Sequence, residues 1–443
     1  MAQITAAQGL STRLDALLQD TLLEESDASI AVYDLDDDTL LYTHREKKLC
    51  RPASLLKVAT STVALFRLGS DYAVYTRLYE KSNDEGHKNI YVKGEIDPLF
   101  NKEDLIELIS PISKGTTIDT LYADCSFSDS IYWGPGWSWD DTPWGFQPYI
   151  SPLMLCGGCV KVTATPAEKG APPFVECQPE SSFYTIVNEA ISRGDKGEKF
   201  TILRDWLDNS NVIRLSGECN IPKSENMNLY RSQDFFVEVM REQLAKQGVN
   251  VENITFAKTP TDAREVSHIE RNIKDIVKEA LMESNNLCAE ALSYHLGTLF
   301  GKVPVRQEDG PEVIKSFIEY NLDINNEFNI ADGSGLSPYN YLSAEIIIEI
   351  LRKAYSNEQV YNIIKNSLPI AGVSGTMKQR GNGTVMQNKI YAKTGTMKGV
   401  TTLAGFAYPP NGHTLAFVIM NQNSLCARSA RQWQDKVCKA LCQ

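Results

Sequence analysis

The chain has 443 residues, which is too long for one ordinary domain and predicts two or three. Hydrophobic residues make up 42% and charged residues 23%, the composition of a globular protein. The formal net charge of −12 argues against nucleic acid as a partner, because binding phosphates requires clustered Lys and Arg. No apolar run approaches the ~18 residues of a membrane-spanning helix.

The first ten residues, MAQITAAQGL, have neither a basic start nor an apolar core, so no secretory signal is expected in them. A cytosolic protein and a mature exported form both fit this start. The ten cysteines are too few for a disulfide scaffold of this length. Cys156 and Cys159 flank a Gly-Gly pair, but no second CxxC or HxxxH pair completes a zinc site. We therefore expect a β-hairpin here, with or without a local disulfide, rather than a metal site.

The front of the chain carries clear periodic signals. They predict an amphipathic helix over 10–24, strands over 29–33 and 39–43, and a helix over 52–68. Pro52 favours the first turn of the second helix, where its missing N–H costs nothing. Ser54 then lies near the helix start, and Lys57 lies one turn later on the same face.

Residues 75–265 differ in character, with short β-like runs between turns and a Trp-rich loop over 133–144. They are predicted to form one or two inserted β-rich domains. Periodicity then predicts helices over 273–296 and 343–355, strands over 389–396, 401–408 and 415–421, and a terminal helix from about Cys426. The two ends would form one domain that the insertion interrupts.

Three short motifs follow in order: Ser54-Leu-Leu-Lys57 (SxxK), Ser284-Asn-Asn286 (SxN) and Lys393-Thr-Gly395 (KTG). A serine hydroxyl is a weak nucleophile and needs a base within hydrogen-bond reach, which a lysine three residues on in a helix provides. To accept a proton, Lys57 must be neutral. Its pKa must therefore fall from ~10.4 through desolvation and a nearby second cation, for which Lys393 is the candidate.

The other motif residues fit the remaining tasks of acyl transfer. Ser284 is expected to relay the proton to the leaving amine, and the Asn286 amide to hold the acyl side of the substrate. The backbone N–H groups of Ser54 and Thr396 are expected to stabilise the oxyanion. A terminal carboxylate is expected on the KTG strand, at Lys393, Thr394 and Thr396, with Gly395 between them in the substrate-binding segment.

Singly, these motifs are weak signals. SxxK is expected about once or twice by chance and KTG roughly 0.1 times, and SxN recurs at Ser224. Each residue also has an ordinary structural explanation: Ser54 as a helix-start residue, Asn286 as a solvated helix residue, and Lys393 as an edge-strand charge. The order of the motifs, and their placement at a helix start, within a helix and on a strand, favour catalysis.

Other catalytic designs fit poorly. Asp332-Gly-Ser-Gly335 has the wrong glycine spacing for a GxSxG nucleophile turn. The five histidines form no HExxH, and the sequence has neither a Walker A nor a GxGxxG motif. Cys288, one helical turn after Ser284, is expected at a core position rather than as a reactive thiol.

With these motifs the chain resembles the low-molecular-mass class C penicillin-binding proteins, the S13 family of D-alanyl-D-alanine carboxypeptidases/endopeptidases, over nearly its whole length. Further matching stretches are GEIDP at 94–98, DCS at 124–126, PGW at 135–137, DGSGLS at 332–337 and AGVSGT at 371–376. The resemblance implies an α+β multidomain fold, with a β-lactamase/transpeptidase-like catalytic domain built on an antiparallel five-stranded sheet flanked by helices. We assign 1–74 and 265–443 to that domain, 75–160 and 218–264 to inserted domain II, and 161–217 to inserted domain III.

The resemblance implies a serine DD-carboxypeptidase/DD-endopeptidase that cleaves D-Ala-D-Ala ends and D-Ala-diaminopimelate crosslinks of peptidoglycan. The reaction would pass through an acyl-enzyme on the serine, which β-lactams also form. The family's active-site positions fall on Ser54, Lys57, Ser284, Asn286 and Lys393. Asp124 matches the aspartate thought to contact the amino group of diaminopimelate, although an Asp that simply ends a strand would look the same.

The resemblance implies no metal and no cofactor. The implied partners are peptidoglycan stem peptides and β-lactam antibiotics, without nucleic acid or a membrane span, and a homodimer stays open. Export to the periplasm follows from the substrate, with the signal peptide already removed. A β-lactamase and a catalytically inactive wall-binding scaffold are the alternatives. The lack of an identifiable Glu-bearing deacylation loop argues against the first, and the complete motifs argue against the second.

Overall fold

A computed structural model describes residues 2–83, 86–195 and 197–443, with side chains from residue 9 onward. The front of the chain forms α1 (Ala2–Leu17), β1 (Asp27–Asp34), β2 (Thr39–His44) and α2 (Leu56–Leu68). The two strands and α2 confirm the prediction, but a single first helix over 10–24 is wrong. Asp20 accepts the N–H of Leu22 and starts a separate 3-10 turn at Thr21–Glu24, which ends the helical run.

The middle of the chain is the insertion. It forms β3 (Ala73–Ser82), β4 (Lys88–Gly94), α3 (Lys102–Ile109), β5 (Thr117–Asp124), β6 (Cys159–Thr165), β7 (Phe174–Gln178), β8 (Thr185–Asn188), β9 (Ile191–Ser192), β10 (Thr201–Arg204), β11 (Val212–Ser216), β12 (Glu218–Cys219), β13 (Lys223–Asn228), α4 (Ser232–Lys246), β14 (Asn250–Phe256) and β15 (Arg264–Asn272). Five of these strands make a mixed sheet in the order β14-β5-β4-β3-β15, and smaller sheets have the orders β13-β6-β7, β10-β11-β8 and β12-β9.

Two helices of the insertion were not predicted. Leu105 of α3 and Phe236 of α4 are fully buried and share one apolar core with strand residues such as Leu121. The eight-residue α3 starts with a capping box between Asn101 and Asp104, and a helix this short shows little periodicity. The insertion is therefore an α/β mixture rather than purely β, and the proposed boundary between its two domains stays a prediction.

The back of the chain forms α5 (Ile273–Met282), α6 (Asn286–Gly297), α7 (Asp309–Asn321), α8 (Ala344–Tyr355), α9 (Glu358–Ser367), β16 (Ile390–Met397), β17 (Val400–Ala407), β18 (Leu415–Gln422) and α10 (Ala427–Leu441). The three strands, α8 and α10 confirm the prediction, whereas α7 and α9 were missed. The single helix over 273–296 is also wrong. Ser284 has a φ of +61°, in the left-handed region that a helix cannot contain, and Asn285 caps the new helix by accepting the N–H of Cys288.

The catalytic sheet joins both ends of the chain in the order β16-β17-β18-β1-β2, with every neighbouring pair antiparallel. All eight residues of β17 and all eight of β18 are buried, so helices cover both faces. Val418 points into a core with α2, α5, α6 and α8, while Phe417 points into a second core with α1 and α10. This arrangement confirms the predicted α+β architecture.

The segment around Cys156 and Cys159 does not form the expected hairpin. Residues 156–158 make a 3-10 turn, and β6, which begins at Cys159, pairs with β7 and β13 rather than with the preceding residues. Both thiols are free, and neither belongs to the one group of metal-ligating side chains found among the described residues. Alternation of apolar residues marks a strand but cannot say which segment pairs with it. Among the described residues no helix is long and apolar enough to cross a membrane.

Candidate active site

Ser54 and Lys57 lie where the chain turns into α2. A 3-10 turn at Ala53–Leu55 leads into the helix, and the Lys57 Nζ donates a hydrogen bond of 2.9 Å to the Ser54 Oγ. Ser54 is partly exposed, while Lys57 is fully buried. Ala53 has a φ of +47°, which a non-glycine residue adopts only when its surroundings hold it there. The turn thus presents an accessible hydroxyl to a buried amine.

Lys57 has three hydrogen-bond acceptors around its amine. Besides Ser54, they are the Asn286 Oδ1 and the backbone carbonyl of Ser334, both 2.6 Å from the Nζ. Burial lowers the pKa of Lys57 to about 8, against the opposing charges of Asp332 and Glu290. An amine with this pKa can act as a general base near neutral pH.

Lys393 lies on β16 and is also fully buried, with its Nζ donating to the carbonyl of Thr394 at 2.8 Å. Burial lowers the pKa of Lys393 well below its ordinary value, and the neighbouring Lys57 lowers it further. From the sequence, we expected both desolvation and the charge of Lys393 to lower the pKa of Lys57. In the structure, burial is the leading cause of the lowered pKa. Two buried amines this close favour a single shared positive charge over two.

β16 is the edge strand of the sheet, and residues 369–371 pair with the beginning of its outer edge. The N–H of Ala392 points outward to the carbonyl of Pro369, and by the alternation of an antiparallel strand the N–H groups of Thr394 and Thr396 point the same way. Between them, a Cβ on Gly395 would lie 3.0 Å from the Ser54 nitrogen. The edge of β16 therefore runs beside the nitrogen of the serine, and the N–H groups of Thr394 and Thr396 have no backbone partner among the described residues.

The SxN motif occupies the break between α5 and α6. The Asn286 Nδ2 donates to the carbonyl of Phe146, at 2.6 Å, two residues after the Trp-rich loop of the insertion. Ser284 and Asn286 both line an open groove of about 490 Å³, whose other walls carry Phe146 and Lys161. Within the part of the chain that the structure describes, no hydrogen bond joins the Ser284 hydroxyl to Ser54 or Lys57.

Asp124 belongs to the insertion. It is the last residue of β5 and only 1% exposed, and its carboxylate accepts the backbone N–H groups of Ser126 and Thr259 at 2.9 and 2.7 Å. These hydrogen bonds outweigh the effect of burial and lower the pKa of Asp124. The carboxylate thus stabilises the end of the strand, which was the ordinary structural explanation of this residue.

Sequence reasoning assigned no role to four residues that adjoin the site. Ser334 supplies a carbonyl to Lys57, and Glu290 and Asp332 accept hydrogen bonds from the loop that carries Ser334. The guanidinium of Arg431, on α10, donates to the Thr396 Oγ1 at 3.3 Å. The DGSGLS stretch pointed to the loop of Ser334, but nothing in the pattern of a terminal amphipathic helix singles out Arg431.

Cys288 is confirmed as a core residue. It is fully buried among apolar side chains of α2, α5 and α6, and burial raises the pKa of its thiol well above the ordinary value. A thiol kept protonated in this way is a poor nucleophile.

The fold and this cluster define a serine hydrolase of the β-lactamase/transpeptidase-like class. A sequence model of the D-Ala-D-Ala carboxypeptidase 3 (S13) family matches residues 10–441, and the chain belongs to this family. It is 27% identical over 435 residues to the D-alanyl-D-alanine carboxypeptidase of an Actinomadura species, covering 92% of this chain and 80% of that protein.

Two further similar proteins come from Haemophilus influenzae. The chain is 23% identical over 418 residues to its D-alanyl-D-alanine carboxypeptidase DacB, covering 90% of this chain and 86% of the relative. The crystal structure of its penicillin binding protein 4 has a TM-score of 0.82 at 21% identity, covering 96% of this chain and 97% of that one. The predicted family and fold class are confirmed, and the chain is a serine-type D-Ala-D-Ala carboxypeptidase of the S13 family.

Proposed function

We propose that the protein hydrolyses the D-Ala-D-Ala ends and the D-Ala-diaminopimelate crosslinks of peptidoglycan through an acyl-enzyme on Ser54. The observation that carries this proposal is the position of the Lys57 Nζ, buried and 2.9 Å from the Ser54 Oγ. A buried amine of lowered pKa beside an accessible hydroxyl is what activation of a serine requires.

In the acylation step, neutral Lys57 takes the proton of the Ser54 hydroxyl while the Oγ attacks the carbonyl carbon of the D-Ala residue. The N–H groups of Ser54 and Thr396 stabilise the oxyanion that forms. The proton passes to the leaving amine, directly from Lys57 or through Ser284, as the C–N bond breaks. Water then attacks the ester and releases the shortened peptide, returning the proton to Ser54.

The substrate lies along the edge of β16. The free N–H groups of this edge and the Asn286 amide can pair with the peptide on its two sides, and the groove beside Ser284 and Asn286 gives the stem peptide room. The terminal carboxylate is bound by Thr394, Gly395 and Thr396, with Lys393 beneath. The guanidinium of Arg431, already 3.3 Å from the Thr396 Oγ1, adds a charged partner for that carboxylate.

Other parts of the proposal rest on the family alone. The contact between Asp124 and the amino group of diaminopimelate is proposed on that resemblance, and the two backbone N–H groups that Asp124 accepts hold its carboxylate in place. Peptidoglycan as the substrate and the periplasm as the location are proposed on the same ground. A homodimer remains a prediction.

Labelled penicillin tests the proposal. The protein is incubated with the antibiotic, and the adduct is located by mass spectrometry of its peptides. We expect a stable adduct on Ser54 that is lost in Ser54→Ala and in Lys57→Ala, both with native circular dichroism. Lys302→Ala, which removes an exposed lysine, is the control and should acylate normally. An adduct that survives Ser54→Ala would contradict the assignment, and rapid turnover of the antibiotic would indicate a β-lactamase instead.

A further inference from the structure

Lys57 can accept a proton from Ser54 only if its lone pair points at the hydroxyl. We propose that the backbone carbonyl of Ser334 fixes that direction, and that the buried carboxylate of Glu290 is the positioning residue that holds this carbonyl in place. The inference rests on the proposed role of Lys57 as the base.

The Lys57 Nζ has three neighbouring oxygens, of which two belong to carbonyl groups and one to a hydroxyl group. The Asn286 Oδ1 and the Ser334 carbonyl are acceptors without a hydrogen, each 2.6 Å away, whereas the Ser54 Oγ at 2.9 Å carries a hydrogen. A neutral amine has two N–H groups and one lone pair. Once the two carbonyl oxygens accept the two N–H groups, the lone pair points at the Ser54 hydroxyl. Without the Ser334 carbonyl, an N–H would be free to turn toward Ser54.

The peptide groups next to the Ser334 carbonyl are held from two sides. The N–H of Ser334 donates to the Glu290 Oε1 at 2.8 Å, and the N–H of Gly333 lies 3.2 Å from both oxygens of the same carboxylate. The hydroxyl of Thr60 donates to the carbonyl of Gly333 at 2.7 Å. A Cβ on Gly333 would lie 2.7 Å from the carbonyl of Ala289, so the loop packs directly on α6. The loop therefore has little freedom to move its carbonyl away from Lys57.

A carboxylate suits this position because it only accepts hydrogen bonds. Glu290 is 2% exposed, and the backbone N–H groups of Gly333 and Ser334 donate to its carboxylate. A glutamine would place an NH₂ group against one of these N–H donors, and two donors cannot pair. The sequence presents Glu290 as one more charged helix residue, yet its charge is directed entirely into the protein.

The charge of Glu290 also acts on Lys57. The groups that face the Lys57 amine are Glu290 and Cys288 from α6, Asp332 from the loop, and Lys393 from β16. The negative groups raise the pKa of Lys57 and oppose the effect of burial. Burial and the neighbouring Asp332 raise the pKa of Glu290 itself to about 8, so Glu290 and Lys57 titrate as a pair. The ionised carboxylate favours protonated Lys57, and a neutral residue at position 290 therefore lets the base become neutral at a lower pH.

The test measures the second-order rate of Ser54 acylation by a fluorescent penicillin as a function of pH. For Glu290→Gln we expect a loss of roughly 100-fold at the optimum, from misplacement of the base. We also expect the acid limb of the profile to move down by about one pH unit. Glu290→Asp keeps the charge but shortens the side chain, so its rate should fall without that shift. Thr60→Val loosens the same loop through a neutral group and should also lower the rate while leaving the limb in place.

A purely structural role for Glu290 would lower the free energy of unfolding and leave the pH profile unchanged. A Glu290→Gln profile that matches the wild type would overturn the inference while the proposed function stood. If that variant does not fold, normal rates in both Glu290→Asp and Thr60→Val would overturn it instead. A wild-type protein that forms no adduct would overturn the proposed function, and this inference with it.

Discussion

Adding one methyl group at Gly335 should displace the turn that carries the nucleophile Ser54. The φ of Gly335 is +80°, and a Cβ placed on it would lie 1.9 Å from the carbonyl oxygen of Ala53, the residue before Ser54. The Cβ of Leu56 lies 3.3 Å from the same position, which leaves the new atom little room to move out of the contact. In Gly335→Ala the turn that carries Ser54 must therefore shift.

The size of the effect follows from two costs. A left-handed φ costs a non-glycine residue about 1–2 kcal/mol, and forcing an extra methyl into a packed interior costs about 1–3 kcal/mol more. We therefore expect Gly335→Ala to lower the free energy of unfolding by about 2–5 kcal/mol. Relief of the 1.9 Å contact requires a displacement of more than about 1 Å, which at a reacting group is worth roughly 100-fold in rate.

Urea unfolding and stopped-flow acylation by a fluorescent penicillin measure the two effects. Gly412→Ala is the matched control, since Gly412 has a φ of +87° with nothing within 4 Å of its Cβ, in the turn at the far end of β17 and β18. It should lose only the backbone cost of about 1–2 kcal/mol and acylate normally. Equal losses of stability in the two variants, or normal acylation in Gly335→Ala, would refute the reasoning.

Three further outcomes are expected. Because Lys57 must be neutral to act, the acylation rate should rise with pH through its pKa of about 8 and fall by about tenfold per unit below it, as pre-steady-state kinetics over a pH series would measure. Arg431→Ala should raise KM roughly tenfold for a peptide with a free terminal carboxylate but not for its amide, and an equal change for both would contradict the charge pairing. Asp124→Asn places an NH₂ group against a backbone N–H, so urea unfolding should show a loss of about 1–3 kcal/mol, with penicillin acylation unchanged. Slow acylation in a stable Asp124→Asn protein would show that this residue serves the reaction instead.

The sequence predicts the fold best where an element has its own periodicity. Runs of apolar residues identify β17 and β18, because both faces of these strands are buried. Pro52 marks the beginning of the helical segment that contains α2. Periodicity does not predict the break at Ser284, because the apolar residues of 273–296 keep helical spacing on both sides of it. The break depends on one left-handed residue and the Asn285 cap, which a periodic pattern does not register.

The candidate site likewise contains some groups that the sequence predicts and others that only the folded structure reveals. Side chains with distinctive chemistry, such as Ser54 and Lys57, can be found from motifs. The carbonyl of Ser334 cannot, because every residue has one and only the folded loop brings this one to 2.6 Å from the Lys57 Nζ. The role of Glu290 could not be predicted from the sequence for a related reason. A glutamate on a helix predicts a solvated charge, and only tertiary structure reveals that it is buried.

The contacts of the Trp-rich loop of the insertion also could not be predicted from the sequence. Its composition predicts an ordered loop but not what it contacts. In the structure the Trp137 Nε1 of this loop donates to Asp332 at 2.9 Å, and just after the loop the Phe146 carbonyl accepts from Asn286 at 2.6 Å. The insertion therefore supports two separate walls of the site, and these contacts join residues that are far apart in the chain.

The pairing of β1 with β18 has a consequence for biosynthesis. These adjacent strands come from opposite ends of the chain, and the Thr402 hydroxyl reaches back to the Pro52 carbonyl across 350 residues. A nascent chain on the ribosome already contains Ser54 and Lys57, but it lacks the strand that runs beside the serine nitrogen. Such long-range closure is slow and comes late in folding. We therefore expect a nascent chain to acylate only after β16, β17 and β18 have been synthesised and have paired with β1.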